Sequence, residues 1–203
     1  VGELLKSHMQ MLRAVAVRWF NACFRMGAKD SMSKKMNQVD VIVPANGFSF
    51  RNAEEKDLDF IYRLIISGSE RGHFSEAFLT PEGSKGLKLN LRSILTKKQR
   101  LDARKPAYGV VYHNEGTPVG FLINSSIYES KGTEIWMMAI SEDFQGHGHG
   151  SALLDEVLRN FADYRGLLMA RCHTASEVMF KMFIKRGFTH KDTGDEGTRI
   201  LIR

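Results

Sequence analysis

The sequence predicts an α/β domain, a mixed central sheet with helices on its faces. Three observations carry this. From Phe48 onward, short apolar runs alternate with amphipathic stretches of helical period. One run, Glu134–Ile140, has no polar residue after Glu134, so it reads as a strand buried on both faces near the centre of the sheet. That run leads into SEDFQGHGHGSALLDEVLRNF, a glycine turn at the mouth of a helix.

The elements follow in order. Residues 3–26 predict a helix, with Leu5, Met9, Leu12, Ala16, Trp19, Phe20 and Cys23 on one stripe and Arg13, Arg18 and Arg25 adding charge. Such a helix could pack on its own domain or on a second copy, making a homodimer. It could instead lie on a membrane surface. A targeting peptide is a further alternative, since Met11 onward is arginine-rich and acid-poor until Asp30, although ten residues precede that methionine. Asp30 to Lys35 is polar, and the chain divides into an extension and linker, 1–46, and a domain, 47–203.

Within the domain, Phe48–Arg51 predicts a strand. Glu54–Ser67 predicts a helix with Leu58, Ile61, Leu64 and Ile65 on one face. Thr80–Pro81–Glu82–Gly83 reads as a turn. Lys85–Arg100 predicts a helix with Leu87, Leu91, Ile94 and Leu95 inward. Its other side carries Lys88, Arg92, Lys97, Lys98 and Arg100, with Arg104 and Lys105 just beyond. Ala107–Tyr112 and Val119–Ser126 flank a turn, Asn114–Pro118, a hairpin signal. After Glu134–Ile140 come a helix over Ser151–Phe161 (Leu153, Leu154, Val157 and Leu158 inward), a strand at Leu167–Cys172, a helix over Ser176–Lys185 stopped by Gly187, and strands at Phe188–His190 and Thr198–Ile202. The order is β-α-α-β-β-β-α-β-α-β-β.

Composition bounds the function. The 203 residues are 43% hydrophobic and 26% charged, a soluble globular profile, and no apolar run reaches the length of a membrane span. Cys23 and Cys172 form no CxxC, which fits a reducing, cytoplasmic compartment and offers neither a disulfide framework nor a structural zinc site. The formal charge of +6 suits an anionic ligand or partner without choosing among nucleotide, nucleic acid and membrane surface.

The glycine turn narrows that choice. A strand, a glycine turn and a helix N-terminus make an anion site, because first-turn amides lack helical acceptors and the helix dipole is positive there. A phosphate loop of the Walker A type needs Gly-Lys-Ser/Thr, and Gly150 is followed directly by Ser151. The dinucleotide fingerprint G-x-G-x-x-G fails by one residue. What remains is Gln145-x-x-Gly148-x-Gly150. This resembles the acetyl-CoA pyrophosphate loop of the GNAT superfamily of N-acetyltransferases, whose pattern is Gln/Arg-x-x-Gly-x-Gly/Ala after a central strand. The resemblance covers about Phe48 to Arg203. SEVMFKMFIKRGF (Ser176–Phe188) is similar to that family's helix running into Gly-Phe, and FSFRNAEEKDLDFIYRL is similar to its first strand and helix.

The resemblance implies a GNAT-like fold and acetyl-CoA as co-substrate. It implies that the backbone of Gln145, Gly146, His147, Gly148, His149, Gly150 and Ser151 holds the pyrophosphate. The backbone of Met138, Ala139 and Ile140 would pair with the pantetheine arm, and Ser176 stands where many members have an asparagine that touches the cofactor. It implies acetyl transfer to an amine, with Glu134 as general base through water and the Met138 N–H donating to the thioester oxygen. A carboxylate at the head of an apolar strand would be partly desolvated, which would raise its pKa toward a useful range. His173 is the runner-up base.

One departure is plain. Many members carry a tyrosine, the acid for the departing thiolate, where this chain has Phe183; Tyr112 and Tyr128 are candidate substitutes. His147 and His149, with Cys172 and His173, could ligate a metal, but a loop wrapped on phosphate points such side chains outward, so no metal is expected. The acceptor is expected between Ser67–Lys105 and the last hairpin, Thr189–Thr198. The first region is basic and suggests a phosphate-bearing acceptor, including an aminoacyl-tRNA. The second carries Asp192, Asp195 and Glu196 and suggests a cationic amine or lysine. A small amine or protein amino group ranks first. A non-catalytic CoA-binding module or a nucleic-acid-associated protein are the alternatives.

Overall fold

The structure is a computed structural model that describes residues 47–102, 104–127, 132–194 and 197–203. The expected N-terminal helix and linker, Tyr128, Asp195 and Glu196 lie outside the described residues.

Seven strands form one sheet: β1 (Phe48–Asn52), β2 (Ala107–Asn114), β3 (Thr117–Ile127), β4 (Gly132–Ile140), β5 (Leu168–Cys172), β6 (Thr189–Thr193) and β7 (Arg199–Ile202), in the spatial order β1-β2-β3-β4-β5-β7-β6. The expected mixed sheet is present, and Glu134–Ile140 lies on its middle strand. Four helices pack on it: α1 (Leu58–Glu70), α2 (Pro81–Lys97), α3 (His149–Arg159) and α4 (Glu177–Ile184). None of the described helices is long and apolar enough to cross a membrane.

Most element ends move by a few residues from the sequence reading, and two helix starts move for a clear local reason. Thr80–Gly83 is not a free turn but the start of α2: the Thr80 hydroxyl accepts from the Gly83 N–H at 3.1 Å and Pro81 takes the first helical position, where its missing N–H costs nothing. The helix expected from Ser151 begins at His149, because Gly148 itself caps it.

Alternation along the strands sorts the apolar residues into two cores. On one face α1 and α2 bring Ile61, Ile65, Leu91 and Ile94 against Phe121, Ile123 and Met137. On the other, α3 and α4 bring Leu153, Leu154, Val157 and Phe183 against Leu122, Ile135, Ala170 and Leu201. Leu153 and Leu154 are fully buried, and each such side chain stabilises the fold by about 1.5–3 kcal/mol. Arg186 clamps α3 to the chain leaving α4, with both its Nε and Nη2 on the Asp155 carboxylate at 2.6 and 2.7 Å.

The feature that makes a site is the seam between β4 and β5. β4 pairs antiparallel with β3 from Gly132 to Ile140, but parallel with β5 only over Thr133–Ile135. Trp136 is the extra residue of a β-bulge, since Ile135 faces Asn124 and Met137 faces Ile123. A bulge bends its strand. Past it, β4 and β5 no longer pair, and a cleft of about 780 Å³ opens between them.

Candidate active site

The floor of the cleft is the unpaired side of β4. The Ser141 N–H donates to the Val119 carbonyl at 2.8 Å, and antiparallel pairs alternate, so Ala139 and Met137 turn their backbone groups to β3. Met138 and Ile140 therefore turn theirs to the cleft. The Gln145 side chain closes one of these groups, donating from Nε2 to the Ile140 carbonyl at 2.8 Å. Of the three residues expected here, the backbone groups turned to the cleft and not closed are the Met138 N–H and C=O and the Ile140 N–H. Ala139 lines the cleft, but its backbone is engaged with β3.

The glycine loop forms the far end. Gly146 and Gly148 have φ of 78° and 85°, a region that side chains with a Cβ avoid, and around both positions a Cβ would meet open space. The glycines are there for backbone shape. Gly148 caps α3 without any side-chain bond, so the amides of His149, Gly150 and Ser151 face out from the helix with no capping acceptor. Anions bind such an end. Gln145, expected to contribute its amide, does not have it free: it donates to the Glu142 carbonyl at 3.0 Å.

His147 and His149 are the two expected residues that do not line the cleft. His147 is exposed, as expected. His149 turns inward instead, its ring 4.4 Å from Phe48 and its Nδ1 3.1 Å from the Tyr112 hydroxyl. Burial, and then the neighbouring His147, pull its pKa below the ordinary value. Tyr112 is thereby used inside the core, stacked on Phe48 and Phe50, and is not a substitute acid for the cleft. Among the described residues no cluster of histidine, cysteine and carboxylate side chains could hold a metal.

Glu134 stands at the other end, with its side chain 6% exposed. Burial removes water from this carboxylate, as the apolar strand implied. The structure adds a partner the strand did not disclose: Arg171 on β5 donates from Nε at 2.7 Å and sits with Nη2 at 2.6 Å, both to Oε1. Among the described residues no donor reaches Oε2. Arg171 was not legible because it appears as one polar letter in an apolar strand. Only the parallel pairing of Glu134 with Met169 puts it in reach.

A tripeptide missed by the sequence reading crosses the cleft. Arg71 donates to Glu142 at 2.9 Å on the loop side, and His73 Nδ1 lies 3.1 Å from the Ser176 hydroxyl at the start of α4. Burial, with Arg71 and His173 nearby, pulls His73 below the ordinary histidine pKa and toward the neutral form. Ser176, predicted to touch the cofactor, lines the cleft with His173. Phe183 also lines it, packed edge-on against Phe188 at 4.9 Å, and brings no hydroxyl. Cys172 beside it is no thiolate, since burial pushes its pKa up to about 12.

Residues 74–188 match the model of the acetyltransferase (GNAT) family. No curated protein sequence gives a significant match. Several solved structures share the fold. One is RimL, a ribosomal L7/L12 alpha-N-protein acetyltransferase in complex with coenzyme A (15% identity, 81% of this chain and 97% of that one, TM-score 0.59). Another is the ribosomal-protein-S5-alanine acetyltransferase of Vibrio fischeri (16% identity, 81% and 96%, TM-score 0.56). A third is the PaiA N-acetyltransferase of Thermoplasma acidophilum, also in complex with coenzyme A (14% identity, 77% and 98%, TM-score 0.52). The chain belongs to the GNAT acetyltransferase family, and acetyl-CoA is its co-substrate.

Proposed function

We propose that this GNAT acetyltransferase transfers the acetyl group to a primary amine by direct attack, with Glu134 as general base. The observation that carries the reading is one strand, β4. It presents at Glu134 a buried carboxylate that lines the cleft and, four residues on, an amide at Met138 turned to the unpaired side. The uncapped end of α3 stands beyond them.

The roles follow from chemistry. Acetyl-CoA supplies the thioester carbonyl. The amides of His149, Gly150 and Ser151 would take the pyrophosphate, and the Ile140 N–H and the Met138 carbonyl would take the pantetheine arm. The Met138 N–H would stabilise the carbonyl oxygen as it gains charge. Glu134 Oε2 would take the amine proton through a water, with Arg171 holding the carboxylate in place. With Phe183 in place of a hydroxyl, solvent protonates the departing thiolate. The neighbours described as ribosomal protein acetyltransferases support a protein amino group as one acceptor beside small amines. A buried, unpaired thiol at Cys172 supports a reducing, cytoplasmic setting.

The test is steady-state kinetics of CoA release with an amine panel. Glu134→Gln should lower kcat by about 10²–10⁴-fold and leave acetyl-CoA affinity unchanged. Unchanged turnover in that variant would remove Glu134 from the mechanism.

A further inference from the structure

We infer that the acceptor end of the cleft is an apolar pocket built around Trp136, and that the amine it takes carries an apolar, aromatic-sized carbon skeleton. The inference rests on the acetyl-transfer reading above and names the substrate class of that same site.

Trp136 is the unpaired residue of the β4 bulge, two positions from Glu134. Bulges re-aim a side chain, and this one lines the cleft. The indole is fixed by a guanidinium: Arg100, 9% exposed, lies 3.9 Å from the ring centre. Arg100 is itself held, donating from Nε to Asp102 at 2.9 Å, and Asp102 accepts from Asn90 at 3.1 Å. This network fixes one ring in the cleft that Glu134 also lines. Phe74 and Phe78 come from the segment between α1 and α2 and line the same cleft with Leu64. The Phe74 ring is seated on Gly68, where a Cβ would fall 2.6 Å from it.

Charge argues the same way. Among the described residues, the Arg or Lys side chains lining the cleft are Arg71 and Arg171, and each is paired with a carboxylate. The basic face of α2 lies elsewhere: Lys88 covers the Tyr62 ring and Arg92 faces Glu55 at 3.4 Å. Of the described part of the last hairpin only Thr198 lines the cleft, and Asp192 does not. Among the described lining residues, an anionic acceptor finds no unpaired Arg or Lys, and a second amine finds no carboxylate besides Glu134. Among the described residues, neither the basic side chains of α2 nor Asp192 of the last hairpin lines the cleft.

The test compares 2-phenylethylamine, phosphoethanolamine and 1,4-diaminobutane as acceptors, reading kcat/KM by CoA release. The aromatic amine should be preferred by roughly 10–100-fold. Trp136→Ala and, separately, Phe78→Ala should collapse that preference while leaving acetyl-CoA affinity intact. Equal rates, or a preference that survives both variants, overturns the pocket. Binding is read independently by the fluorescence of Trp136 in a Trp19→Phe protein, these being the two tryptophans of the chain. In the presence of CoA, 2-phenylethylamine should give a saturable change; no saturable change overturns the inference. Saturable binding without turnover of any amine upholds the pocket and sinks amine acetylation instead.

Discussion

The two ends of one cleft are built from different material. The proposed cofactor end is backbone: the amides at the start of α3, two glycines at positive φ, and the unpaired side of β4. The proposed acceptor end is side chain: Glu134 with Arg171, Trp136 on Arg100, and Phe74 on Gly68. Backbone sites tolerate changes of letter and demand particular torsions, so they leave a glycine spacing in the sequence. Side-chain sites are assembled from partners far apart in the chain, and no local pattern announces them.

The contrast can be broken from either end. Glu134→Gln should give the largest effect, a loss of about 10²–10⁴-fold in kcat, seen as CoA release at saturating acetyl-CoA. Next is Gly148→Asp. Its φ of 85° penalises any Cβ and the added carboxylate repels phosphate, so acetyl-CoA affinity in a calorimetric titration should fall by about 100-fold.

Much of the fold was legible because the signals are local. The order of eleven elements, the central strand and the glycine turn before α3 follow from periodicity and glycine placement. The capping by Gly148 and Thr80 was not placed correctly, since cap residues sit outside the apolar period they terminate. In the site, Glu134 and the loop were visible, while Arg171, His73 and Trp136 were not. Arg171 lies 37 positions from Glu134, and His73 lies 103 positions from Ser176. His149 was expected to face outward with its neighbour. Its inward turn depends on Phe48 on β1 and Tyr112 on β2, both far from it in the chain.

Smaller effects sharpen the comparison. Arg171→Gln leaves a buried carboxylate with no fixed partner. The guanidinium is half exposed, so the expected loss is about 1 kcal/mol of stability by denaturant unfolding, together with roughly tenfold in kcat. Tyr112→Phe removes the hydroxyl bonded to His149 and should weaken acetyl-CoA binding by only about threefold, because the stacking on Phe48 remains.

The smallest effect is on pH. His73, His113 and His149 all have folded pKa values below the ordinary one, chiefly through burial. The unfolded chain then binds these protons first, so stability is full above about pH 6.5 and declines as pH falls through that value toward the lower folded ones. A modest drop in Tm should appear between pH 7 and 5.5. A second decline should follow in stronger acid, as Asp57, Asp102 and Asp155, held low by Arg51, Arg100 and Arg186, take up protons. A flat Tm across the first window would contradict the buried setting of the histidines.

The most direct test of the two-ended cleft is one calorimetric series: acetyl-CoA titrated into the intact protein, Gly148→Asp and Glu134→Gln. Binding should be lost or weakened by about 100-fold in Gly148→Asp and kept in Glu134→Gln. Equal binding in all three, or equal loss in both variants, would contradict a cofactor end made of backbone and an acceptor end made of side chains.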